Sequence, residues 1–436
     1  MWKLSLTIWL IFSGTATAFQ FPKIKFVGIS TKEDSNAPRR LVENGPEETE
    51  NLRVRLEKYC DIFEKNRSSD KASNKPSDVS FRWEPHLRES YAVADVIFNE
   101  VERASRDGYN CNEPKSLHQV VLSFPSMSRP EDLGKLTAVL QSDKCKKVLG
   151  LEDAYSEIYP SSPAPYLRIT FSSFITISGA KNDQKVSNEN AGLPAENAVS
   201  ATEDWVNNFL GKYRLCPYTS SISRAAVGLS SVQVPVGGVH VRVAVTNTEN
   251  VEKRSFDIPR AAELVSAFWS EVVTLMDSTQ EEWATSLLLF PKYDTEFEAF
   301  VDICDSIVEP TVVATQATQF IGRAWFHPNY DANAVGHAKV IAGHAVPHKM
   351  VEEFVKSLHS SSSSRKDDQG LLEYDELVMA NNKVRKTPHA TINILRRSQL
   401  MAAGEYEKGL GEKRPKANSI YARNAVRLAE AIKNRN

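Results

Sequence analysis

The chain is short of several things, and each shortage excludes a class of function. Neither charge sign dominates: 53 basic residues against 55 acidic ones leave a net charge of −2. That balance lacks the basic footprint of a nucleic-acid binder, so no nucleic-acid partner is expected. The five cysteines, Cys60, Cys111, Cys145, Cys216 and Cys304, are odd in number, widely scattered and never spaced Cys-x-x-Cys. Such a set does not read as a secreted disulfide framework. No apolar run approaches the roughly 20 residues of a membrane span, so no membrane partner is expected for the mature chain. There is no Gly-rich phosphate loop, no Walker-type lysine and no Gly-x-Ser-x-Gly elbow, and no cofactor is expected. What is present is ordinary for a globular protein: 41% apolar and 25% charged residues. A length of 436 residues leaves room for two or three domains at about 150 residues each.

Residues 1–18 read as a secretory signal. Trp2-Lys3 is a short basic start, Leu4 to Phe12 an apolar core, and Ala16-Thr17-Ala18 a small-x-small cleavage site. Phe19 follows directly, and Lys23, Lys25 and Lys32 precede the first acid, Glu33. An Ala-Phe junction with a basic, acid-poor stretch behind it resembles the bipartite plastid presequence of algae with secondary plastids. That resemblance implies delivery to the chloroplast stroma through the secretory pathway; the alternative is plain secretion. A reducing stroma suits the unpatterned cysteines.

Composition divides the rest. Residues 19–80 are a polar linker in which only Leu52 to Phe63 reads as helical, and 179–199 is a second linker rich in Asn, Glu, Gly and Ala. Between and after them lie modules at 81–178 and 200–436, the second with an insert near 335–384. In the second module, Glu203 to Tyr213 reads as a helix, Val239 to Val245 as an alternating strand and the stretch from Pro259 as a helix. Ser286 to Phe290 is then a strand ended by Pro291, Phe297 to Ile303 a helix, and Phe320 to Phe326 and Ala390 to Leu395 strands. Ile420 to Ile432 closes the chain as a helix. The order strand-helix-strand-helix-strand-strand-helix predicts an α+β sandwich with helices on one sheet face, of ferredoxin-like type. The first module echoes it: Val120 to Phe124 also ends in proline, and Ser162-Pro163-Ala164-Pro165 parallels Thr387-Pro388-His389-Ala390. The two modules therefore read as a degenerate internal duplication.

Three stretches of the second module carry a family resemblance. Leu215-Cys216-Pro217-Tyr218, Phe326-His327-Pro328 and Thr387-Pro388-His389-Ala390-Thr391-Ile392-Asn393-Ile394-Leu395-Arg396 occur in order, and Arg423-Asn424 follows in the last helix. Together they resemble the mostly bacterial family called domain of unknown function 1415 over about residues 200–430, with the insert looped out. The family's histidine in the third stretch is Asn393 here. The resemblance implies architecture and assigns no activity.

Two functional readings follow. In the first, Cys216, on a turn just past a helix, is a nucleophile. His327 at a strand end is its base, and Asn393 or His389 orients that base. Arg396, Arg423 and Asn424 then hold an anionic group on a small molecule, because guanidinium matches carboxylate and phosphate. In the second reading Cys216 is structural, and the protein is a non-catalytic stromal binding or assembly protein. No metal site is expected: His344 and His348 share a helical spacing, but Pro347 lies between them and no further ligand joins them. A fluorescent fusion of residues 1–60 should enter plastids, and Phe19→Ala should hold it outside the stroma; wild-type fusion in the medium would refute the targeting assignment.

Overall fold

The computed structural model describes residues 50–56, 58, 78–108, 117–158, 161–172, 195–212, 216, 218–227, 229, 234–244, 258–330 and 385–403. The leader, the insert near 335–384, the expected closing helix and the pair Arg423 and Asn424 lie outside the described residues.

Helix α1 (50–56) precedes β1 (Asp78–Trp83), α2 (Ser90–Gly108), β2 (Leu117–Ser123), α3 (Glu131–Leu140), α4 (Asp143–Leu149), β3 (Leu151–Glu157) and β4 (Tyr166–Ser172). The second half begins with α5 (Ala195–Asp204), which runs into a π-helical turn, Trp205–Gly211. The short strands β5 (Thr219–Ser221) and β6 (Arg224–Ala225) form a hairpin. Then come β7 (Gly238–Val243), α6 (Ile258–Asp277), β8 (Trp283–Leu289), α7 (Phe297–Ile303), α8 (Glu309–Ala314), β9 (Ile321–Phe326), β10 (Thr391–Arg396) and α9 (397–403). The helix expected from Glu203 starts instead at Ala195, inside the segment assigned to the second linker. The sequence Ala-Glu-Asn-Ala-Val-Ser-Ala-Thr carries only a thin apolar stripe, with Ala198 and Thr202 buried, which composition reads as polar chain.

The α+β class holds, with two four-stranded sheets of the same plan. The orders are β1-β2-β4-β3 and β7-β8-β10-β9. In each, the first pair is parallel and the other two pairs are antiparallel. The element order β-α-β-α-β-β differs from the β-α-β-β-α-β of ferredoxin-like folds, so that name does not fit.

The repetition reaches individual contacts. Arg82 on β1 binds Glu100 on α2, and Arg242 on β7 binds Glu271 on α6; the two arginines sit opposite Leu122 and Leu288 at matching register. The strand-to-proline turns match too. Phe124 N–H donates to the Pro165 carbonyl and Phe290 N–H to the Ala390 carbonyl. The hydroxyls of Ser162 and Thr387 donate to the carbonyls two residues on, at 2.7 and 2.6 Å.

The layers run sheet, helices, helices, sheet. One continuous core joins Val120, Leu122, Leu167 and Ile169 of the first sheet to Leu288, Ile392 and Ile394 of the second, through α2 and α6. Phe98, Phe268 and Trp269 are fully buried between them. The α2–α6 seam carries a reciprocal polar pair. Ser270 donates to Asp95 at 2.6 Å and Ser266 donates to Asn99 at 2.8 Å, so positions four apart on one helix meet positions four apart on the other in reverse order. Burial pushes the Asp95 carboxyl above its ordinary value, against the lowering effect of Ser270, Asn99 and Arg242. A raised folded-state pKa means the folded protein holds the proton more tightly than the unfolded chain, so stability is lost as pH rises above about 3.8. Asp95→Asn should therefore raise the melting midpoint at neutral pH and flatten its pH dependence above pH 4; a lower midpoint at pH 7 would contradict this.

Candidate functional site

Each sheet has a second face, turned away from the central helices. On the first sheet α1 covers it, with Leu56, Val121, Ala164 and Tyr166 buried together. On the second sheet the cover is larger. The α5 helix, its π-helical turn and the β5–β6 hairpin bury Val206, Ala225, Ala226 and Leu229 against Val239, Ala284, Leu287 and Leu289. Burying a Val or Leu side chain contributes about 1.5–3 kcal/mol, so apolar contact holds this cover down. Two close approaches set its position. A Cβ on Gly211 would lie 2.2 Å from the Ser220 carbonyl oxygen, so only glycine lets the turn lie on β5. Asn207 Oδ1 accepts the Ile222 N–H at 2.9 Å, and the Ile222 carbonyl accepts the Val239 N–H at 2.7 Å.

Beneath this cover is a cavity of about 40 Å³, lined by Trp205, Val206, Leu210, Cys216, Thr219, Val239, Thr285, Leu287, Phe326 and Asn393. At roughly 10–15 Å³ per water it holds about three or four. The walls are mostly apolar; the Trp205 ring lies 6.2 Å from Phe326 and stacks on Phe209 at 6.3 Å. The polar groups are few. The Cys216 sulfur accepts from the Tyr218 and Thr219 N–H groups and from the Thr219 hydroxyl, all of which favour thiolate, but burial outweighs them and holds the thiol above its usual pKa. Thr285 Oγ1 lies 2.8 Å from Asn393 Oδ1 and 2.9 Å from the Ile394 carbonyl oxygen. Its single proton satisfies one of them, and the other half of the Asn393 amide has no protein partner among the described residues. Trp205 Nε1 is buried with no acceptor among the described residues, a condition that costs about 1–3 kcal/mol when nothing relieves it.

The structure thus brings Cys216 and Asn393 together and leaves His327 out. Side chains alternate across a strand: Phe326 turns to the cavity, and His327 turns to the helical side, where its ring meets Phe297 at 5.0 Å and Phe300 at 5.7 Å. Both its nitrogens are committed. Nε2 donates to the Tyr293 carbonyl at 2.8 Å and Nδ1 accepts the Asn329 N–H at 3.0 Å. Burial lowers its pKa against the opposing pull of the Tyr293 carbonyl and Asp294. The expected Cys216–His327 dyad is not assembled, because the imidazole is a neutral clamp on the opposite face.

His389 is also placed apart. Asp294 holds its Nδ1 at 2.7 Å and the Ala390 N–H at 2.8 Å, fastening the start of β10 to the turn after β8. Arg396, expected to bind an anion, caps the C-terminus of α6. Its Nη2 donates to the carbonyls of Leu275 at 2.6 Å, Ser278 at 2.7 Å and Thr279 at 3.0 Å, and its Nε to that of Trp283 at 2.9 Å. A cation is well placed against unpaired helix carbonyls and the negative end of the dipole.

Residues 197–339, about a third of the chain, match the family described as Protein of unknown function (DUF1415). The second module resembles that family. The match takes in Trp205, Cys216, Thr219, Thr285 and Phe326 of the cavity and ends before the stretch that carries Asn393. No curated protein and no solved structure is matched. Among the described residues no group of three or more His, Cys, Asp or Glu side chains is placed to hold a metal, and no helix is long and apolar enough to cross a membrane.

Sequence reasoning missed Trp205, Thr219, Thr285 and Phe326 as site residues. Trp205 is legible in the sequence as an apolar helical position, but its unpaired N–H is a property of the packed cover. Glu271 was missed too. It is fully buried in α6, 2.6 Å from His240 Nδ1 and bonded to Ser286 and Arg242. Its signal is a lone carboxylate between Trp269 and Val272, two core positions of the same helix.

Proposed function

We propose that the protein is a plastid-imported binding protein whose ligand is a small molecule held in the cavity between the second sheet and its α5 cover, with Cys216 retained as a thiol. The observation that carries this reading is the convergence of Cys216, Asn393 and the unpartnered Trp205 indole on one cavity. A nucleophilic cysteine needs a cation, an imidazole or a helix N-terminus to favour the thiolate, and among the described residues no His, Lys or Arg lines this cavity. The reading is therefore the non-catalytic one, and the presequence-like leader supports the destination.

A fragment screen by two-dimensional NMR of the full mature chain tests it. Ligands of this site should move the Trp205 indole resonance, slow alkylation of Cys216 and raise the melting temperature. About 100-fold excess over Kd stabilises by about 2.7 kcal/mol, several degrees for a chain of this size. Leu210→Phe, which fills the cavity from its rim, should leave the fold intact and abolish all three responses. Fragments that bind and stabilise without touching Trp205 or Cys216 would place the site elsewhere.

A further inference from the structure

The cavity's chemistry narrows what it takes, and this step rests on the reading that the cavity is the binding site. Among the described residues no Arg, Lys, His, Asp or Glu lines it. An anion transferred there would lose its hydration with no countercharge to replace it, so a carboxylate or phosphate is disfavoured. Of the two guanidinium groups expected to hold one, Arg396 spends its donors on the end of α6 and Arg423 lies outside the described residues.

Two groups set what a neutral ligand must offer. The Trp205 N–H is a donor only, buried and without an acceptor among the described residues, so the ligand brings a carbonyl-type oxygen. Asn393 is 6% exposed. Thr285 holds one end of its amide, and the free end is a donor or an acceptor according to which way the amide is turned. A ligand that pairs with either orientation carries both a carbonyl oxygen and an N–H. The apolar walls and the 40 Å³ volume limit it to a few heavy atoms.

We infer that the site selects a small uncharged amide over the isosteric carboxylate, with Trp205 and Asn393 as the specificity-determining residues. The amide oxygen accepts from the Trp205 indole, and its far side pairs with the Asn393 carboxamide. The Cys216 sulfur, already holding the Tyr218 and Thr219 donors, forms part of the wall and is not consumed.

Acetamide and acetate differ in charge and scarcely in shape, which makes them the probes. The full mature chain, without the leader's Trp2 and Trp9, carries five tryptophans; selective ¹⁵N labelling displays their indole N–H resonances, and Trp205→Phe identifies the relevant one. Millimolar acetamide should shift that resonance saturably and leave the other four in place, while acetate at equal concentration and neutral pH should not. Asn393→Asp keeps the shape and adds a charge, and should weaken acetamide about tenfold or more. Since that variant also carries a buried charge, Asn393→Leu is run beside it, and each melting temperature is read first. Acetate moving Trp205 as strongly as acetamide would overturn the neutral-amide assignment and leave the site standing. Neither probe moving Trp205 would overturn the binding site itself.

Discussion

A four-stranded sheet built from apolar strands has two faces, and each must be covered. In this protein the inner faces are covered by α2 and α6, which meet along one seam in a single core that no module owns alone. The reciprocal Asp95–Ser270 and Asn99–Ser266 bonds fix the register of that seam. A misaligned pair of helices would strand a carboxylate and an amide in an apolar interface. Because the inner faces are consumed in joining the halves, any site formed by sheet and cover must lie on an outer face.

The two outer faces are covered differently, and that difference places the site. On the first sheet the position matching Asn393 in the Ser/Thr-Pro alignment is Arg168, whose guanidinium lies 5.2 Å from the centre of the Tyr155 ring, over its face. The α1 helix packs Leu56 onto Tyr166 and Val121 beside it. On the second sheet the corresponding side chain is the shorter Asn393, and the cover is a helix that widens into a π-helical turn at Trp205. Such turns displace side chains from regular helical positions and recur at functional sites. Here the wider turn leaves Trp205 over a gap instead of in full contact with the sheet.

Much of this architecture is legible in the chain. The alternation of Val239 to Val243, the proline stops after Phe124 and Phe290 and the helical spacing of Leu264, Phe268, Val272 and Leu275 give the main strands and the long helix of the second module to within a few residues, but not the start of its cover helix at Ala195. Strand order is not legible, because the parallel β7–β8 edge and the β8–β10 pairing depend on which face each helix covers. The site was half visible. The motifs single out Cys216 and Asn393, and the two meet. His327 follows Phe326 directly, so strand alternation sends the two to opposite faces; a motif alone carries no information about which face a side chain takes. Arg396 reads as a free cation because the helix end it caps is more than 100 residues away in sequence.

The central claim is that Cys216 is a protonated thiol in a cavity that His327 does not reach. Its most direct measurement is the pH profile of alkylation at Cys216, followed by mass spectrometry of its own peptide, in the wild-type chain and in His327→Gln at temperatures where both are folded. The account predicts slow labelling at neutral pH that rises only above the ordinary thiol range, with the same profile in both proteins. Fast labelling at neutral pH that His327→Gln slows would contradict it and restore the Cys–His pair.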